Sequence, residues 1–138
     1  KGTSISGAYA IIGAPGVNDC SAYVFRRYGS TWIRQDKITG SDTSSGDGYG
    51  SSVSLSGDFA IVGAFGYDSA EGAAYIYQRL GTGWEESQKI QPASPVAGEY
   101  FGWMNAASIS EDYALVGAPH HHDGGSLNEG RAYFFASS

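Results

Sequence analysis

The residues best suited to chemistry lie in loops. His120-His121-His122-Asp123 sets three imidazoles beside a carboxylate, a donor set that suits Zn²⁺ or Cu²⁺. Adjacent histidines on one loop rarely converge on one ion, and these are the chain's three histidines. A solvated loop is therefore the plainer reading. Oxygen donors gather in two places, Asp42 with Asp47 and Asp68 with Glu71. Either pair could join backbone carbonyls on a hard cation, but both fall short of the about six to eight oxygens that Ca²⁺ takes. Asp, Ser and Gly are also ordinary turn formers. Cys20 is the single cysteine, so no disulfide forms within the chain. It reads as a free thiol in a loop or, outside the cell, as a link between chains. No local signature makes it a nucleophile with a histidine base. Glu85-Glu86 and Glu111-Asp112 are paired carboxylates, yet neighbours along a strand point to opposite faces. No catalytic arrangement emerges, and the chain reads as a non-enzyme.

Aromatic residues offer binding instead. Phe65, Tyr67, Tyr100 and Trp103 fall in or near inter-strand loops, where rings can stack on sugars or anchor a protein partner. Tyr49 and Phe101 each precede a glycine and read as packing between sheets. Trp103 is the leading contact residue. Phe101 to Ser108 spans seven steps where Tyr49 to Ser54 spans five, which predicts a β-bulge there.

Strands must position these loops. The 138 residues include 21 glycines and 16% charged residues. That composition disfavours a helical bundle, which needs Ala, Leu, Glu and Lys. A hydrophobic fraction of 41% is enough to bury a core. The net charge is −6 with a pI near 4.8, and Arg26-Arg27 is the one basic doublet. Nucleic acid, which calls for clustered cations, is excluded as a partner. An anionic membrane surface is disfavoured on the same ground, and membrane insertion is excluded because no apolar run reaches the ~18 residues of a membrane helix.

The chain repeats itself. Residues 4–15 (SISGAYAIIGAP), 54–65 (SLSGDFAIVGAF) and 108–119 (SISEDYALVGAP) align without gaps. Each is followed by a variable loop and a second match, at 22–25 (AYVF), 74–77 (AYIY) and 132–135 (AYFF). A third match closes the first two copies, at 32–38 (WIRQDKI) and 84–90 (WEESQKI). Each copy reads as a half-buried strand, a two-residue turn, a strand buried on both faces and then one or two more strands. Four short strands in about 50 residues, repeated, are the pattern of a β-propeller blade. The predicted fold is all-β, with blades over residues 1–39, 40–91 and 92–138. The third blade lacks its outer strand, because the chain stops soon after Phe135.

These repeats resemble the FG-GAP family, the unit of integrin α-chain propellers and of many bacterial surface proteins. Tyr49-Gly50 and Phe101-Gly102 stand at its FG position. Gly13-Ala14-Pro15, Gly63-Ala64-Phe65 and Gly117-Ala118-Pro119 stand at its GAP position. Trp84, Gln88, Lys89 and Ile90 resemble the bacterial subclass. The resemblance implies an extracellular or cell-surface module and makes calcium the cofactor to test, although no Asp-x-Asp-x-Asp-Gly string occurs. Similarity to FG-GAP-type fungal lectins implies a second use, in carbohydrate binding at blade junctions.

About three blades fall short of the ~4–8 of a closed propeller. The outer faces of blades 1 and 3 are therefore expected to be apolar and uncovered, with an unpaired strand edge on blade 3. Copies of the chain could cover them, as a six-bladed ring of two or as a filament. Alternatively, the chain is an excerpt of a longer propeller. Self-association in a structural or adhesive role is the leading expectation, with glycans or a surface protein as further partners.

Overall fold

The computed structural model describes residues 2–16, 20–122 and 129–136. Over these residues the chain forms three antiparallel sheets in sequence order. The first contains β1 (Thr3–Ser6), β2 (Tyr9–Pro15), β3 (Cys20–Tyr28) and β4 (Thr31–Ile38). The second contains β5 (Tyr49–Ser56), β6 (Phe59–Ala64), β7 (Ala73–Leu80) and β8 (Gly83–Ile90). The third contains β9 (Ala107–Ser110), β10 (Tyr113–Ala118) and β11 (Arg131–Ala136). Each sheet is a simple meander, as a propeller blade is, and the third stops at three strands.

The local sequence explains the elements. Gly57-Asp58 turns β5 into β6 with Gly57 at φ +55°, a conformation that favours glycine. Glu111 takes the same place in blade 3 at φ +49°. The three middle strands β2, β6 and β10 share one motif but differ in burial. Ala60, Ile61 and Val62 of β6 are fully buried, whereas Ile12 on β2 is 41% exposed and Leu115 on β10 is also exposed. Blade 2 is covered on both faces; blades 1 and 3 are each covered on one.

Two hydrophobic clusters fill the two junctions. Between blades 1 and 2, Ile11, Ala22 and Val24 pack with Val53, Leu55, Val62, Tyr75 and Tyr77. Between blades 2 and 3, Ile61, Ala74 and Ile76 pack with Ala107, Ile109, Ala114 and Val116. Tyr49 and Phe101, the residues before the FG glycines, are wholly buried, one in each cluster.

Serine hydroxyls stitch the inner strands together. The Leu55 N–H donates to Ser4 Oγ at 3.0 Å and the Gly57 N–H to Ser6 Oγ at 3.2 Å. At the next junction Ala107, Ile109 and Glu111 donate to Ser52, Ser54 and Ser56 at 2.8, 3.2 and 3.1 Å. An inner strand is a sheet edge, so every second N–H lacks a ladder partner. The preceding blade's Ser-x-Ser supplies it. The alternation of serine and aliphatic residues thus places hydroxyls on one blade face and apolar groups on the other.

Candidate functional site

Two straps bring the loop aromatics together. After β6 the chain makes one tight turn, α1 (Tyr67–Ala70), with Asp68, Ser69 and Ala70 at φ 44°, 59° and 63°. The connector into blade 3 binds this turn. Gly98 N–H donates to the carbonyls of Ser69 and Ala70, Tyr100 N–H to that of Ala70, and Phe101 N–H to that of Glu71. Tyr100 sits at φ 56°, a strained setting for a bulky residue. The two extra residues predicted to form a bulge instead loop out as a turn. Trp103 N–H donates to the Tyr100 carbonyl at 3.1 Å and Ala106 N–H to the Trp103 carbonyl at 2.9 Å. Met104 and Asn105 occupy its tip at φ 20° and 60°. Gly117 bonds Gly102 on one side of this turn and Ala106 on the other, so three residues loop out where a simple bulge adds one.

The result is a patch of four rings. Tyr100 and Trp103 are 5.3 Å apart, and Phe65 lies 5.9 Å from Tyr100 and 6.1 Å from Trp103. His120 meets both Tyr100 and Trp103 edge-on at 4.9 Å. All four are half-buried. Three of the four predicted contact residues therefore share one surface. The fourth, Tyr67, does not join them, and its ring lies 3.7 Å from Lys89 Nζ. The sequence marks His120 for metal rather than for this patch. The signal for its place is position: it follows the third GAP as Gly66 follows the second.

Two of the proposed oxygen ligands, Asp42 and Asp47, are used within the fold. Asp42 accepts from Tyr75 (2.6 Å), Tyr67 (3.0 Å) and Lys89 (2.5 Å). Burial alone would raise its pKa, but these hydrogen bonds and the Lys89 charge outweigh burial and hold it below its ordinary value. Burial together with the Asp42 carboxylate pushes the Tyr75 phenol far up, keeping it a donor. For Lys89 burial pulls down, and the bond to Asp42 overcomes it, so its pKa is raised. Asp47 accepts the Ser44 N–H at 2.7 Å. Asp68 is exposed on the tight turn, with Glu71 at its end. Among the described residues no group of three or more His, Cys, Asp or Glu is gathered to hold a metal ion.

The histidine loop is not uniformly solvated. His121 is buried, with Nδ1 2.6 Å from Oε2 of Glu99, a wholly buried carboxyl whose Oε1 has no partner. A solvated reading fails for His121 because the Glu99 carboxyl, inside the fold, needs a buried polar partner. His122 Nδ1 lies 3.4 Å from the His120 carbonyl, and Asp123 lies outside the described residues. Cys20 is the first residue of β3 rather than part of a loop. It is half-buried, and its thiol donates to the Gly16 carbonyl at 3.0 Å.

Clefts of polar and of apolar character lie along the blades. A polar one of about 260 Å³ is lined by Asp36, Lys37, Thr39, Ser41, Tyr77 and Glu86, among others. Its carboxylates already bind the fold: Glu86 accepts from Ser41, and Asp36 accepts the Trp84 N–H. An apolar one of about 350 Å³ lies on the open face of blade 1, lined by Ile5, Ala10, Ile12, Phe25 and Trp32.

The family model of the FG-GAP repeat matches residues 32–77 and 84–135. No curated protein matches the chain. Among the described residues no helix is long and apolar enough to cross a membrane.

Proposed function

The chain belongs to the FG-GAP repeat family, and from that premise we propose that it is a non-enzymatic structural or adhesive module of the cell exterior that associates with copies of itself. Repeats of this family form propeller-type modules that are often extracellular and generally without catalysis. One observation carries the self-association: both outer blade faces expose residues whose repeat counterparts are core. On blade 1, Ile12 and Trp32 are 41% and 39% exposed, while their counterparts Val62 and Trp84 are buried. On blade 3, Tyr113 and Phe134 are 69% and 79% exposed, although Ile76, the counterpart of Phe134, is fully buried. Burying a side chain of this size stabilises by about 1.5–3 kcal/mol, so two such faces favour a partner strongly. The test is the solution mass of the chain by light scattering. A discrete dimer supports a closed ring, and a heterogeneous high mass supports open assembly. A folded monomer at micromolar concentration refutes the reading.

The aromatic patch favours a second reading, carbohydrate binding. Phe65, Tyr100 and Trp103 present adjoining rings of the kind that stack on a sugar's apolar face. A glycan array with and without Ca²⁺ tests it. Silence in both, or binding that Trp103→Ala leaves intact, refutes it.

A further inference from the structure

We infer that the open face of blade 3 in one copy seats on the open face of blade 1 in another, head to tail, in the register of the two internal junctions. The inference rests on the self-association proposed above and adds its polarity and its contacts.

The internal junctions supply the register. At both, a serine accepts the N–H of the residue one step beyond its own counterpart in the next repeat. Ser4 pairs with Leu55, where Ser54 is the counterpart, and Ser54 pairs with Ile109, where Ser108 is the counterpart. The same rule assigns Ser108 to the Ile5 N–H and Ser110 to the Gly7 N–H of a second copy. Ser108 and Ser110 are exposed, as are Ile5 and Gly7. β1–β2 keeps the register of β5–β6, where Leu55 and Gly57, the counterparts of Ile5 and Gly7, direct their N–H groups away from their own sheet to Ser4 and Ser6. By strand alternation the N–H groups of Ile5 and Gly7 face outward.

The outer end of the blade gives an independent match. At the first junction Tyr9 packs edge-on against Trp84, with centroids 5.9 Å apart, and Arg79 lies 5.0 Å from the Tyr9 ring. Repeat equivalence turns Tyr9 into Tyr113, Trp84 into Trp32 and Arg79 into Arg27. Tyr113 and Trp32 are both exposed, on opposite outer faces of the chain. Between these two ends, Leu115 and Phe134 stand where Ile61 and Ile76 stand at the second junction. Ile5, Ile12 and Phe25 stand where Leu55, Val62 and Tyr77 stand at the first. The two open faces are thus the two halves of one interface, hydroxyl acceptors and tyrosine on one side, outward N–H groups and tryptophan on the other. Like faces would bring serine to serine and leave the outward N–H groups without acceptors. The contact is therefore heterologous.

Polarity makes a mixing experiment decisive. Phe134→Glu disables the blade 3 face and Ile12→Glu the blade 1 face. Both positions are exposed in the single chain, so each variant keeps its own core. The wild-type chain is expected to associate and each variant alone to remain a monomer. An equimolar mixture of the two should give a 1:1 heterodimer, read by light scattering. Ser108→Ala with Ser110→Ala should weaken wild-type association at least tenfold. Wild-type association combined with a variant that dimerises alone, or a mixture that stays monomeric, overturns the inference and spares the self-association. A folded wild-type monomer overturns both. A chain that folds only when joined to further blades assigns the faces to one longer polypeptide and overturns the second copy as their occupant.

Discussion

Gly13 lies against Gly50 so closely that a methyl group added to Gly13 would overlap the Gly50 carbonyl oxygen. Gly63 and the Gly102 carbonyl repeat the relationship at the second junction. The GAP glycine of one blade and the FG glycine of the next are thus one contact, made where two backbones cross. Gly50 and Gly102 also adopt φ +92° and +82°, outside the range that side chains favour. The two halves of the family's motif belong to neighbouring blades.

Gly63→Ala is therefore expected to cost about 3 kcal/mol, because the new methyl meets backbone that cannot yield. Gly57→Ala places its methyl in open space at φ +55° and should cost only about 1 kcal/mol, for left-handed backbone. Urea unfolding of the two variants checks the order. Equal costs would mean that the blades separate without loss.

The Asp42–Lys89 pair predicts a stability plateau. The Asp42 pKa is lowered from 3.8 in the fold, so its contribution is present above about that value and is lost as pH falls through the depressed value. The Lys89 pKa is raised from 10.5, so its contribution is present below that value and is lost as pH climbs past it. Asp42→Asn should lower the melting temperature at pH 7, and the gap to wild type should shrink as pH falls from 3.8 through the depressed value. Thermal melts across pH read the difference directly. A gap that stays constant from neutral pH down to the most acidic melts would show that Asp42 acts by shape rather than by charge.

Tyr49 and Tyr77 form a directional chain. The Tyr49 hydroxyl donates to that of Tyr77 at 2.6 Å, and Tyr77 donates to the Thr39 carbonyl at 3.0 Å. Burial raises the pKa of both phenols, so both remain donors. Tyr49→Phe removes the first donor and leaves the second bond intact, a loss of about 1 kcal/mol. Tyr77→Phe removes both bonds and strands the fully buried Tyr49 hydroxyl, so about 2–3 kcal/mol is expected. Chemical denaturation that ranked the two the other way round would contradict this direction.

Sequence made the blades legible because each carries its own strand, turn and strand in register with the others. It also marked Phe65, Tyr100 and Trp103, since large rings beside glycine-rich loops stand out. Other features could not be read because they depend on the neighbouring blade. Ser4 and Ser54 look like polar positions of a half-exposed strand, and only the adjacent edge reveals them as acceptors. His121 sits among loop residues, and nothing local tells that Glu99, 22 residues earlier, is buried beneath it. Tyr67 looks like its aromatic neighbours, yet Asp42 and Lys89 draw it away from them.

That buried pair yields the sharpest stability test. Glu99 is wholly buried and His121 is its partner at 2.6 Å. His121→Leu leaves a carboxyl inside the fold without that partner, and removing one member of a buried pair costs about 3 kcal/mol or more. Glu99→Gln keeps a side chain able to hydrogen-bond the imidazole and should cost less. The double change Glu99→Leu with His121→Leu replaces both polar groups by apolar ones of similar size and should recover much of the loss, because desolvation is relieved on both sides. Urea unfolding of these three variants and of Glu99→Leu alone forms the comparison. A double variant as unstable as the sum of its parts would mean that Glu99 and His121 act independently, and that the loop after the third GAP is held by other contacts.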